Sequence, residues 1–126
     1  MARRILKNES GQAIVETALV LPLLLLLILG MIEFGWVLNG QITITAAARE
    51  GARTAIIYES AGLAKEAVQS AVVQSATASS LKNVSADTEF METKAIVNVS
   101  AEITPIIGLF ISGDMDLHAK AEMRLE

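Results

Sequence analysis

Two carboxylates set in a long apolar run are the chemically most demanding residues of this chain. Glu16 and Glu33 bracket sixteen uncharged residues, Thr17 to Ile32. A charged carboxylate at a bilayer centre costs about 2.5–3.5 kcal/mol on insertion scales, and less near the interface. Each glutamate therefore needs a partner or a path to water. Glu16 is the one residue assigned a chemical role, and that role is electrostatic. For Glu33 two readings stand: a side chain that snorkels to the outer interface, or a carboxylate that faces a partner. Arg49 and Arg53 are four apart and share a helical face. They could pair with carboxylates of the same domain or of a neighbouring subunit, or form a solvated basic face. The single histidine, His118, falls on the polar side of a strand pattern with no paired ligands nearby. There is no nucleophile–base pair, phosphate loop or carboxylate cluster, so the reading is no enzyme, no cofactor and no metal. The absence of cysteine removes disulfides and thiolate metal sites.

The apolar run positions both glutamates. At about 1.5 Å per helical residue its uncharged part covers roughly 24 Å, slightly less than a hydrocarbon core of about 30 Å. Ala13–Val15 and Phe34–Leu38 supply the missing length, and residues 12–38 are predicted to cross a membrane. Pro22 deletes one helical hydrogen bond and clashes with the Ala18 carbonyl. It is either a tolerated membrane-helix proline or a site of bending when helices pack. Trp36 marks the outer interface. Residues 1–11 hold three basic side chains, Arg3, Arg4 and Lys7, against Glu9, a net of +2. The remainder holds seven basic and thirteen acidic residues, a net of −6. A basic head before an apolar run predicts a cytoplasmic N-terminus, and the acidic remainder argues against nucleic acid. The run is longer than the core of a secretory signal, and the nearest small-residue site, Ala46–Ala48, lies far beyond it.

Beyond the run, residues 39–59 read as the same helix continued outside the membrane. Ile44, Ala48, Gly51, Ala55 and Tyr58 recur at spacings of four and three. That period outweighs the strand propensity of Ile42–Thr45. Ala46–Ala48, Gly51 and Ala52 are small enough for another backbone to approach. A second helix is predicted over Gly62–Leu81, capped by Ser60 and ended by Ser79-Ser80 and Lys82-Asn83. Its less polar stripe is Ala64, Ala67, Val68, Ala71, Val72 and Ser75. Three period-two stretches follow, carried by Val84–Phe90, Val97–Ile103 and Leu117–Leu125, with a turn at Glu92-Thr93-Lys94. Pro105–Ile111 is apolar for a connection. It is read as core or as a short amphipathic turn packed on the sheet, and otherwise as a patch for membrane or partner. The fold class is α+β: a long N-terminal transmembrane helix extended into a small head with a second helix and about three antiparallel strands.

Gly11-Gln12-Ala13-Ile14-Val15-Glu16, opening an apolar run after a basic leader, resembles a prepilin processing site. The resemblance narrows with Pro22, Glu33-Phe34-Gly35 and the stretch Ala47-Ala48-Arg49-Glu50-Gly51-Ala52-Arg53. Together these features, over about residues 11–55, look like the TadE-like family of tight-adherence (Flp) pilus systems. The resemblance implies a minor pilin or pseudopilin and no enzymatic activity. It implies a leader over 1–11 cut by a prepilin peptidase between Gly11 and Gln12, a transmembrane helix over 12–38 and an extracytoplasmic head over 39–126. It assigns Glu16 to assembly, neutralising the new amine of a neighbouring subunit, and pairing with the amine of its own chain, one helical turn away, is the competing reading. From the residues themselves, Pro22, Glu33, Arg49 and Arg53 are candidates for helix packing or partner contact. Expected partners are the peptidase, other pilin or pseudopilin subunits, the inner-membrane assembly platform and the lipid bilayer. The expected location is the cytoplasmic membrane, with the head outside, and entry into the pilus fibre or a place at its base are the two alternatives. The alternative is an unprocessed, single-pass anchored binding module.

Overall fold

Helix α1 runs from Glu9 to Tyr58, 50 residues, or about 75 Å at 1.5 Å per residue. The structure is a computed structural model that describes residues 9–58, 62–77 and 80–124. α1 has two regimes. From Gln12 to Leu29 every residue is exposed, and from Ala18 to Leu29 the side chains are apolar on all sides. A helix apolar all round belongs in a membrane or a large core. From Gly40 onward one face is buried, formed by Gly40, Ile44, Ala47, Ala48, Gly51, Ala52 and Ala55. The helix passes through Pro22 and through Ile42–Thr45. Threonine hydroxyls in this second stretch turn back on the helix: Thr43 donates to the Asn39 carbonyl at 2.9 Å and Thr45 to the Gln41 carbonyl at 2.7 Å. Such back-bonding satisfies the hydroxyls inside the helix and removes their pull towards other conformations.

The head adds α2 (Ala64–Ala76) and a sheet of β1 (Leu81–Met91), β2 (Lys94–Ile103) and β3 (Met115–Arg124). The sheet is an antiparallel meander in the order β1-β2-β3. β2 is central, and its Ala95, Val97, Val99, Ala101 and Ile103 are buried. α1 lies over β2 and β3, and α2 lies beside it over β1. A close approach is at Gly51, where an added Cβ would stand 2.7 Å from Val72 Cγ2 and 3.1 Å from Val97 Cγ1. The glycine thus lets both the neighbouring helix and the sheet come against the α1 backbone. Gln69 of α2 ties the helix to β1: its Nε2 donates to the Val84 carbonyl at 3.1 Å, and the Ala86 N–H donates to its Oε1 at 2.7 Å. On the far side, Gln41 Nε2 of α1 donates to the His118 carbonyl of β3 at 2.9 Å.

Several expectations are corrected. The second helix ends at Ala76, and Leu81 to Asn83 belong to β1. Leu81 packs partly buried against the core, so its apolar side chain serves the strand. Asn83 takes φ 51° where the β1–β2 register shifts between Lys82 and Ser85, a conformation asparagine tolerates better than most residues. Ser75 is exposed, and Ala76 takes its place in the buried stripe. Tyr58 keeps the helical period yet is 44% exposed. Ser60, Ser79 and Leu125 lie outside the described residues. Met123 ends the inward pattern of β3 half-exposed, and Pro105–Ile111 packs on α1, not on the sheet.

Candidate functional site

The amino end of α1 carries the first group of candidates. The Gly11–Gln12 bond lies in the opening turns of a helix that starts at Glu9. Gln12 and Glu16 are both exposed and one helical turn apart, so they share a face. Thr17 donates its hydroxyl to the Ala13 carbonyl at 2.9 Å. Along this part no other element among the described residues covers the helix. Pro22 sits within the exposed stretch.

Glu33 is placed differently from both expectations. Its side chain neither snorkels to water nor faces outward: the residue is 0% exposed. Oε1 accepts the Gly108 N–H at 2.8 Å, and Oε2 accepts the Phe110 N–H at 3.1 Å. Hydrogen bonds to a carboxylate are worth about 1.5–3 kcal/mol each, more than neutral ones. Gly108 has φ +67°, a left-handed conformation that suits glycine and turns the loop backbone. Below Glu33, the Phe110 ring lies against Gly30, where an added Cβ would be 3.0 Å from Phe110 Cε2. Above it, Trp36 Nε1 donates to the Thr104 carbonyl at 3.2 Å. Thr104 in turn donates its hydroxyl to Asp114 Oδ1 at 2.7 Å, closing the base of the loop. Gly30, Glu33 and Trp36, at spacings of three, thus hold one loop along one side of α1.

Arg49 and Arg53 are exposed, and neither makes an ion pair among the described residues. His118 is exposed on the outer face of the sheet, and no group of three metal-ligating side chains occurs among the described residues. The outer face is polar, with Ser85 and Ser100 hydroxyls 2.7 Å apart. Glu122 accepts from Lys94 Nζ at 3.0 Å and lies 3.2 Å from Lys120 Nζ. These hold its carboxyl below the usual range, Lys94 by its hydrogen bond most of all.

The family model described as TadE-like protein matches residues 11–53. The match covers about a third of the chain. The matched segment begins at Gly11, includes Glu16, Pro22, Glu33, Arg49 and Arg53, and ends before α2 and the sheet. The TadE-like family is a pilus-associated, structural one, and the long apolar helix fits a membrane anchor. No curated protein and no solved structure matches this chain. The loop that closes on Glu33 lies outside the TadE-like segment. Its role was hidden because Glu33 is answered by main-chain N–H groups, which carry no side-chain signature. The signal available was a glycine in an apolar connection whose amides lacked a ladder.

Proposed function

We propose that the chain is a minor pilin or pseudopilin of a tight-adherence pilus system. The TadE-like match, starting at Gly11 and running along the helix, carries this reading. A prepilin peptidase cuts between Gly11 and Gln12. Residues 12–38 hold the mature subunit in the cytoplasmic membrane, and residues 39–126 form a head outside it. The exposed surface from Gln12 to Leu29 supports helix-to-helix assembly, because the other described residues leave it uncovered. Glu16, four residues from the new amine of Gln12, is the charge that a neighbouring subunit's amine neutralises. An unpaired carboxylate among lipid tails is unfavourable, and a cation brought by assembly relieves it. Arg49 and Arg53 are free to meet acidic groups of an assembly partner.

The test is co-expression with the matching peptidase, followed by mass spectrometry of the membrane-bound protein. The mature chain should begin at Gln12, and Gly11→Leu should keep residues 1–11 attached. An intact N-terminus in the wild-type co-expression, or a cut near Ala48, would replace this reading with an anchored binding module.

A further inference from the structure

We propose that the segment Pro105–Ile111 enters the outer leaflet of the bilayer beside α1, with Glu33 satisfying two of the backbone donors it carries there. The inference rests on α1 crossing the membrane, not on cleavage or pilus assembly. Three observations lead to it. The first is depth. Twenty residues separate Ala13 from Glu33, about 30 Å along the helix, which is the thickness of the hydrocarbon core. Phe110 touches α1 at Gly30, about 4.5 Å closer to the membrane centre than Glu33. The loop therefore reaches the acyl boundary wherever the helix is seated to cover its apolar run.

The second observation is chemistry. No charged residue occurs between Thr104 and Asp114. Ile106, Leu109 and Phe110 are 54%, 53% and 50% exposed, beside the exposed apolar surface of α1. In water this is an unfavourable surface; against lipid it continues the anchor. The polar pair of Thr104 and Asp114 closes the loop at its base, where the Trp36 indole also donates. The third observation is the backbone. Non-helical backbone is costly at membrane depth because its N–H and C=O groups find no water there. Glu33 supplies acceptors to two of these amides and is itself fully buried in doing so. A carboxylate on a membrane helix and an apolar loop far along the chain thus remove each other's penalty.

The chain has no cysteine, so single nitroxide labels can be placed at will. The full chain is reconstituted in phosphatidylcholine vesicles, and each label's collisions with oxygen and with a water-soluble nickel chelate are compared. Labels at Leu109→Cys and Ile106→Cys should favour oxygen, as a label at Leu19→Cys does. A label at Gln74→Cys should favour nickel. Nickel-favoured collisions at 106 and 109, with oxygen-favoured collisions at 19, would overturn the proposal and leave the anchor intact. Protection from both reagents that vanishes on dilution with lipid would also overturn it, in favour of a second copy as the occupant. Nickel-favoured collisions at 19 would remove the anchor itself. In the Leu109→Cys chain, Glu33→Leu should move the label towards water. An unchanged label would overturn the role given to Glu33.

Discussion

Glu33 and Gly108 are 75 residues apart and joined by a 2.8 Å hydrogen bond from the glycine amide to the carboxylate. The contact joins the TadE-like helix to the connection between the last two strands. It also ties the upper part of the apolar run to the head.

Removing the carboxylate leaves two amides without an acceptor. Each costs about 1–3 kcal/mol when buried and unsatisfied. Glu33→Leu should lower the thermal midpoint of the head in detergent, followed by circular dichroism. Glu33→Gln keeps one acceptor oxygen and should fall between Leu and wild type. Equal midpoints for all three would show that the bonds to Gly108 and Phe110 hold nothing.

Gly51 and Gly35 should respond in opposite ways to alanine. Alanine is favoured over glycine in a helix by about 1 kcal/mol. At Gly35 no atom lies within 4 Å of an added Cβ, so Gly35→Ala is expected to be neutral or mildly stabilising. At Gly51 the 2.7 Å approach to Val72 forces the helices apart, and overpacking of this kind costs about 1–3 kcal/mol. Denaturant midpoints of the two variants should separate with Gly51→Ala the lower.

Glu16→Leu should insert, be cleaved, and still be recruited poorly into pilus material. The fraction of mature protein that co-purifies with sheared pili, or that crosslinks to other pilins, is the readout. Normal recovery with wild-type piliation would reduce Glu16 to a tolerated charge at the membrane edge. A glutamine at the new N-terminus can also cyclise and lose its charge, so the same preparation should be checked for that mass change.

Glu122 gives the head a small dependence on acid. Lys94, and after it Lys120, hold its folded-state pKa below the unfolded value. The associated stability is present above the unfolded pKa and disappears as pH falls through the folded one. The group is exposed, so the effect on melting is slight. The cleaner measurement is the carboxyl titration followed by NMR, whose midpoint should rise in Lys94→Met. A midpoint that stays put would mean the ion pair is not formed in solution.

Elements with a strong period were legible from residue type and spacing. The small-residue stripe of Ile44, Ala48, Gly51 and Ala55 is the buried face of α1, and Val97, Val99, Ala101 and Ile103 are the inward face of β2. Where two elements meet, the pattern loses its grip. Leu81 suits the end of a helix as well as the start of a strand, and tertiary packing makes it the latter. The position of Pro105–Ile111 was illegible for a different reason. Its apolar character could be read, but its docking depends on a carboxylate some seventy residues earlier and on backbone amides that every residue type shares. Glu33 looked like an isolated charge because only the folded chain brings its acceptors and donors together.

The two helix glutamines that reach the rims of the sheet, Gln41 and Gln69, have a consequence for edge-to-edge association. A three-stranded meander has two open edges, and an open edge is a template on which another chain can add a strand. Gln69 occupies the edge of β1 at Val84 and Ala86, and Gln41 occupies a carbonyl of β3 at His118. Each interrupts the row of free main-chain groups near its middle. Each edge is thereby a poorer template for strand addition by another chain.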